Sequence, residues 1–179
     1  MTSVDKAEQD RRASLTGLVA VLTATTMLFA AFCSAYIVRR GITDDWTVLR
    51  LPGTLYLSVL PGVALSIAAE ASRRYARRGQ AARAKPLLWS AAALGAIFAA
   101  IHLYAWRELH RGGASLSASP AAAFFFVFDG VFVTYVLAGL AALLSAARQP
   151  TAGAALVSYY WLYLNALWIF LLAFLYLWS

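Results

Sequence analysis

ASLTGLVAVLTATTMLFAAFCSAYIV, residues 13–38, is a run of 26 amino acids that contains no Asp, Glu, Lys or Arg. A helix needs about 20 apolar residues to cross the roughly 30 Å hydrocarbon core of a bilayer. Inside hydrocarbon the backbone must satisfy its own hydrogen bonds, which favours a helix, and the alternation typical of a membrane β-strand is missing. Residues 13–38 are therefore predicted to form a transmembrane helix.

The rest of the chain repeats this pattern. Further stretches of low charge cover residues 51–69, 86–106, 112–147 and 149–179, and only Asp129 interrupts the third of them. The predicted spans are about 15–38, 53–70, 86–106, 120–146 and 155–178. We therefore expect an all-α integral membrane protein, with a cytoplasmic tail at 1–14 and a bundle of five transmembrane helices over 15–178.

Composition excludes several other classes of protein. The chain has 179 residues, of which 62% are hydrophobic and 13% charged, and its mean hydropathy is +0.69. Soluble domains are nearer half apolar and about a quarter charged. One cysteine excludes an intramolecular disulfide or a cysteine-based metal cluster, and two histidines leave little room for a haem or metal site. No cofactor or metal is predicted for this chain.

The distribution of Lys and Arg predicts the orientation in the membrane. If the chain crosses five times, the tail, the 71–85 loop and the 147–154 loop share one side and carry ten of these residues, against five on the other side. Basic residues favour the cytoplasmic side, so the N-terminus is predicted inside and the C-terminus outside. Six of them lie in 71–85, where contact with anionic lipid headgroups is expected rather than with nucleic acid.

Asp129 and His102 are polar residues inside predicted spans. An ionised carboxylate at that depth costs several kcal/mol, so Asp129 should be protonated, paired or turned towards protein or water. One interpretation is a proton or substrate relay; the other is a hydrogen bond between helices, which we favour because no second carboxylate continues a relay. His102 has a similar predicted depth and is a possible partner, whereas one histidine inside a span cannot supply the facing pair of a b-type haem.

The fifth predicted span places Trp161, Asn165 and Trp168 at i, i+4 and i+7, on one helical face. This spacing predicts an aromatic packing face in which Asn165 forms a hydrogen bond with a neighbouring helix. No nucleophile–base pair, phosphate loop or carboxylate cluster accompanies it. The residues therefore indicate a packing and scaffolding bundle.

The stretch TMLFAAFCSAY, residues 26–36, resembles the "ETMLFAGLFSAY" stretch of subunit III of the haem–copper oxidases, the cytochrome c and quinol oxidases. Similar motifs follow in the family's order. They are Trp46 with the LP pair at 51–52, the Gly95–Trp106 helix, Gly130 with Val136, and the aromatic ending at 160–170. The resemblance covers about residues 15–178, and five spans fit the divergent, short form of the family that lacks its first two helices.

Several polar positions depart from the family pattern. Thr25 replaces an acidic residue, His102 a glutamine, Asp129 a threonine, and Asn165 an aspartate. Phe132 and Tyr135 replace two histidines of the family pattern. Leu162 replaces a third histidine, and Ala105 replaces a glutamate. Proton-uptake roles proposed for the family are therefore not carried over to these positions.

The resemblance implies a non-catalytic subunit III of a respiratory terminal oxidase in a bacterial-type cytoplasmic (inner) membrane. Such a subunit would bind phospholipid, stabilise the haem–copper catalytic subunit, and support aerobic electron transport and oxygen reduction. Haem and copper are then expected in the partner subunits I and II. Two alternatives stay open, a small stand-alone transporter or channel built around Asp129, and an oxidase assembly factor.

No catalytic, cofactor-binding or metal-binding residue is predicted. The residues selected as structural or interface candidates are Thr25, Tyr36, Trp46, His102, Trp106, Asp129, Trp161, Asn165 and Trp168.

Overall fold

Six α-helices form the regular structure of residues 3–42 and 46–178, the part of the chain that the computed structural model describes. They are α1 (Ser3–Ile42), α2 (Gly53–Leu57), α3 (Val59–Arg77), α4 (Ala81–Arg111), α5 (Pro120–Arg148) and α6 (Pro150–Trp178). Five segments, counting α2 with α3, are long and apolar enough to cross a membrane. The predicted all-α, five-span membrane fold is confirmed. Residues 1 and 2 of the predicted tail lie outside the described residues.

The second span is divided at Ser58. Pro61 has no N–H to donate to the carbonyl of Leu57, so one hydrogen bond of a continuous helix cannot form. The Ser58 hydroxyl instead donates to the carbonyl oxygen of Leu55 at 2.6 Å, a local bond that competes with regular helix geometry. Ser58 keeps helical dihedral angles, φ −61° and ψ −24°, so α2 and α3 continue in one direction.

The helices extend beyond the predicted spans into the polar segments. Residues 71–85 were expected to form a loop, but only 78–80 separate α3 from α4, and Gly79 takes the left-handed conformation there with φ +73°. Likewise, Gln149 alone separates α5 from α6. Charged residues indicate where the hydrocarbon core of the membrane ends. They do not end the helix, because Arg, Lys and Ala are good helix formers and continue it into the interface.

Helices α3 to α6 pack as a ring in which α3 contacts α4 and α6, and α5 contacts α4 and α6. Helix α1 lies outside the ring against α5 and α6. Close packing of α5 on α6 depends on Gly139, because a Cβ atom there would lie 2.7 Å from the Tyr160 ring and 2.9 Å from Trp161.

Large apolar side chains cover the outside of the bundle. Met27, Leu60, Ile67 and Leu162 are each more than half exposed. A water-soluble protein rarely exposes such a surface continuously, whereas hydrocarbon solvates it without penalty. The exterior therefore agrees with a membrane environment.

The charge distribution makes a prediction about topology. Reporter fusions at residue 1 and at residue 179 should report opposite sides of the membrane, because an odd number of spans places the two termini on opposite sides. The N-terminal fusion should be in the cytoplasm, because the side with more Lys and Arg stays there. Enzymatic reporters that are active on only one side measure this directly. Fusions that both report the same side would contradict five crossings.

Candidate functional site

The polar residues of α4 and α5 meet in one buried cluster. His102 Nδ1 lies 2.7 Å from Asp129 Oδ1, and the Trp106 Nε1–H donates to Asp129 Oδ2. His102 is 0% exposed and Asp129 is 1% exposed. The pairing of His102 with Asp129 that the sequence allowed is present, and Trp106 forms a hydrogen bond with the second oxygen of the carboxyl group.

Helical spacing explains why two side chains of α4 reach one carboxyl group. His102 and Trp106 are separated by four residues on α4 and share a face, while α5 runs alongside α4 and presents Asp129 to that face. Ala105 precedes Trp106 in the sequence and is fully buried, and its side chain is small. The cluster therefore ties α4 to α5 across their packing surface.

The partners of Asp129 restrict where a proton can lie. The indole nitrogen of Trp106 is only a donor, so Oδ2 of Asp129 must accept. The short contact between Oδ1 and Nδ1 of His102 then requires one proton on that axis, on either the acid or the imidazole. Both carboxyl oxygens are satisfied without bulk water, which removes most of the cost of placing Asp129 inside a span.

Aromatic rings enclose the other side of His102. Its ring centroid lies 4.4 Å from that of Trp168 and 4.7 Å from that of Phe98, with Phe132 at 5.6 Å. Among the described residues, no hydrogen-bond partner faces His102 Nε2. The described surroundings continue no polar chain beyond His102, which favours the structural interpretation of the cluster over the relay.

The candidate face of α6 is buried within the bundle. Trp161 donates from Nε1 to the carbonyl oxygen of Gly139 on α5 at 3.2 Å. Trp168 donates from Nε1 to Ser58 Oγ at 2.8 Å and stacks on Phe132 with a centroid distance of 4.9 Å. These two tryptophans therefore join α6 to α5 and to the junction of α2 with α3.

The side-chain oxygen of Asn165 does not form the predicted hydrogen bond. Within the described part of the chain, Asn165 Oδ1 is buried without a hydrogen-bond partner. A Cβ atom at Gly62 would lie 2.7 Å from this oxygen, so the α3 backbone approaches too closely for a side-chain donor to fit between them. The close approach allowed by a glycine replaces the expected polar contact.

Thr25, Tyr36 and Trp46 lie away from the His102 cluster. Thr25 is buried and donates to the carbonyl oxygen of Val21 within α1 at 2.8 Å. Tyr36 packs edge to face on Trp46 at 4.8 Å, and its hydroxyl donates to the carbonyl oxygen of Trp178 at 3.2 Å. The nine candidate residues therefore make packing contacts in several parts of the bundle and do not form one reactive site. Among the described residues, no three His, Cys, Asp or Glu side chains converge as a metal site.

The chain is similar to proteins named cytochrome c oxidase subunit 3. No family model matches the chain. The cytochrome c oxidase subunit 3 of Thermostichus vulcanus is 23% identical over 98% of this chain and 92% of its own length. The protein of the same name from Synechocystis sp. is 30% identical over 90% of this chain and 74% of its own length.

The chain belongs to the cytochrome c oxidase subunit 3 family. Membership was predicted from residues 26–36 and the motifs that follow them, and the relatives confirm it over nearly the whole chain. The name of these relatives describes one subunit of an oxidase. Two departures from the subunit 3 pattern, His102 and Asp129, contact each other in this chain, so the altered polar positions form a pair of their own.

A second polar network in this subunit 3 chain was not predicted. Glu70 accepts from Arg73 Nε at 2.6 Å, from Arg74 Nε at 3.0 Å, and from Ser158 Oγ on α6 at 2.9 Å. The spacing of Glu70 to the two arginines, i+3 and i+4, is a sequence signal for such pairs. Ser158 lies 88 residues away along the chain, and no sequence signal indicated it.

Proposed function

We propose that this chain is a non-catalytic, subunit III-like component of a respiratory terminal oxidase in a bacterial-type cytoplasmic membrane. The observation that carries the proposal is its 30% identity, over 90% of the chain, to a protein named cytochrome c oxidase subunit 3. The subunit would flank the haem–copper catalytic subunit and stabilise it during aerobic electron transport. It corresponds to the short form of the family, with five helices.

The internal polar contacts support a scaffolding role. Asp129 forms hydrogen bonds with His102 and Trp106, and Glu70 accepts from three residues, so both carboxyl groups hold helices or neighbouring turns together. In this proposal haem and copper belong to subunits I and II, where oxygen is reduced. The contribution of this chain is to the lifetime of the assembled complex and not to the chemical step.

The outer surface supports association within the bilayer. Apolar side chains such as Met27 and Leu162 are exposed on the outside of the bundle. Partner helices and phospholipid tails are similarly apolar, so either can contact these side chains. Association there rests on close packing rather than on a hydrophobic driving force. We propose that subunits I and II cover part of this surface and that bound phospholipid covers the rest.

Tagged purification tests the proposed function. The full chain, extracted in mild detergent through an affinity tag, should co-purify with haem absorption and oxygen consumption at a constant ratio of haem to chain. A tagged multi-pass membrane protein of another family serves as the control. A colourless homo-oligomer would refute the proposal, and a small, variable fraction of haem would instead indicate an assembly factor. Reduced cytochrome c and quinol, supplied separately, identify the electron donor.

A further inference from the structure

A groove of about 570 Å³ lies between α3 and α6 on the outside of the bundle. Ile67 and Leu162 line its apolar part and are 65% and 59% exposed, so the groove opens sideways from the bundle. Arg74 and Arg78 line the end next to the turn at 78–80. In the described part of the chain, no helix other than α3 and α6 contributes a residue to the lining. The groove is therefore open to whatever surrounds the bundle.

A buried amide borders this groove without a partner. Asn165 is 8% exposed and belongs to the lining, and in the described part of the chain its Oδ1 accepts no hydrogen bond. The neighbouring Ser66 hydroxyl is already satisfied, since it donates to the carbonyl oxygen of Gly62 at 3.0 Å. Because Oδ1 lies against Gly62, the amide N–H groups of Asn165 are the donors that remain for an occupant of the groove. Leaving such donors unpaired in hydrocarbon is costly, so the occupant should carry an acceptor.

The depth of Asn165 limits the kind of molecule that can supply this acceptor. The residue lies near the middle of α6 (Pro150–Trp178), and about 20 Å of helix separates it from either end at 1.5 Å per residue. A phospholipid presents only acyl chains at that depth, because its polar groups lie about 15 Å from the centre of the hydrocarbon. Protein backbone exposed to hydrocarbon must be helical, and a polar side chain on such a helix can accept from an amide of its neighbour.

The end of the groove nearest the 78–80 turn is positively charged. Glu70 accepts from Arg73 through both carboxylate oxygens and from Arg74 Nε. The Arg74 side chain is nevertheless 71% exposed, and Arg78 is exposed beside it. Residues 71–107 contain no Asp or Glu that could balance this charge. An occupant that runs the length of the groove should therefore carry an acidic group at this end.

The rise of α3 sets the spacing between the two polar contacts. Gly62 lies beside the Asn165 amide, and Arg74 and Arg78 follow it along the chain towards the turn. At 1.5 Å per residue, about 18–24 Å of helix axis separates Gly62 from the two arginines. A second helix lying along the groove would cover this distance in about three to four turns.

We propose that the groove is the docking site of one transmembrane helix from a partner subunit. This helix presents a hydrogen-bond acceptor to the Asn165 amide and an Asp or Glu to Arg74 and Arg78, and its apolar face covers Ile67 and Leu162. The inference rests on the proposed function. It deepens it by giving one partner contact a location and by stating the polar pattern that the partner helix must carry.

Site-specific photo-cross-linking in intact membranes locates the partner. Tyr75 lines the groove and is replaced by p-benzoylphenylalanine in the tagged full chain. Tyr104, which is 54% exposed on α4 and lies outside the groove, is replaced in the same way as the matched control. After irradiation, Tyr75 should cross-link to a membrane-spanning segment of another polypeptide that has a polar side chain at mid-depth and an acid three to four turns towards the cytoplasm. The Tyr104 control should not give this product.

Asn165→Leu tests the polar contact, because leucine has a similar shape but neither donates nor accepts hydrogen bonds. The variant should hold the cross-linked partner about tenfold more weakly, in the range of one interhelical hydrogen bond. Its isolated chain should unfold at the same temperature as wild type or higher, because no internal hydrogen bond of the Asn165 oxygen is lost. Thr134→Val, which removes a hydroxyl from an exposed site on α5, is the matched control and should retain the partner.

Arg78→Gln tests the charged contact at the other end of the groove. It should weaken retention of the partner and reduce the dependence of retention on salt concentration. Arg83→Gln removes the same charge from the same end of the bundle but outside the groove, and should behave as wild type.

Three results would overturn the proposal. They are a Tyr75 cross-link confined to lipid or to another copy of this chain, equal retention of the partner by Asn165→Leu and Thr134→Val, and a lower unfolding temperature of the isolated Asn165→Leu chain. Haem absorption is measured on the same samples. A cross-linked helix with the expected polar pattern in a sample without haem would uphold the docking site and refute the oxidase assignment, so the two failures are distinguishable.

Discussion

Trp168→Ala should release this chain from its complex and lower its free energy of unfolding by about 3–5 kcal/mol, the range for removing a large aromatic group from a packed core. Trp168 is 1% exposed and stacks on Phe132, and its ring lies 4.4 Å from that of His102. The variant also leaves Ser58 Oγ without the indole N–H that it accepts. The cavity would lie where α4, α5 and α6 meet, so relaxation of one helix cannot fill it.

Thermal unfolding of the detergent-purified protein and blue-native gels of membrane extracts measure the two effects. Phe170→Ala is the matched control, because Phe170 lies on the same helix but is 54% exposed. We expect Phe170→Ala to retain the subunit in the complex and Trp168→Ala to lose it, while the partner subunits keep residual oxygen consumption. A fully assembled Trp168→Ala complex without initial turnover would instead mean that this chain acts directly in catalysis.

Asp129→Leu should be nearly as damaging to stability. The substitution removes both carboxyl oxygens at once, which leaves the half-buried Trp106 indole N–H without an acceptor and the buried His102 Nδ1 without its partner. Each such loss costs about 1–3 kcal/mol. Thermal unfolding should show the loss, and α4 and α5 should separate more readily.

A double-mutant cycle isolates the Trp106 contribution. In a Trp106→Phe background the Asp129→Leu change should cost less, because the indole N–H that would lose its acceptor is already absent. Equal costs in both backgrounds would show that Asp129 does not accept from Trp106. The cycle therefore tests the contact itself as well as the overall importance of the residue.

Asp129→Asn separates the structural role from a proton relay. An asparagine amide can accept from Trp106 through its oxygen and donate to His102 Nδ1 through its nitrogen, so both contacts remain while titration is lost. We expect assembly, oxygen consumption and proton release close to wild type. An Asn variant that assembles normally but no longer translocates protons would overturn the structural interpretation.

The number and type of membrane-spanning segments were predictable because hydropathy and the thickness of hydrocarbon act on each segment alone. Residues 13–38 are long enough to span a bilayer whatever else the chain does, and the same holds for the other four segments. The helix ends were not predictable from charge, since α4 begins at Ala81 and not near residue 86. Outside the hydrocarbon, water forms hydrogen bonds with the free backbone groups of a helical turn as well as with those of a loop. A helix can therefore continue past the boundary of the hydrocarbon.

The candidate site was predictable only in part. Intramembrane polar residues are conspicuous, so Asp129 and His102 were identified, and their similar depth on successive spans allowed the pairing. Family resemblance also drew attention to Trp106, but the donation from its indole to Asp129 was not expected. The hydrogen bond expected of Asn165 does not form at its side-chain oxygen, because Gly62 brings the α3 backbone against that atom.

The amino-acid sequence by itself determined that this is a membrane protein, that it has five segments able to span a bilayer, and to which family it belongs. These properties depend on composition and motifs that are contiguous along the chain. Tertiary structure alone decided which side chains meet: Ser158 with Glu70, Ser58 with Trp168, and Trp106 with Asp129. Such contacts depend on the rotation and spacing of packed helices, which are set by the fit of both surfaces together and are not readable from either helix alone.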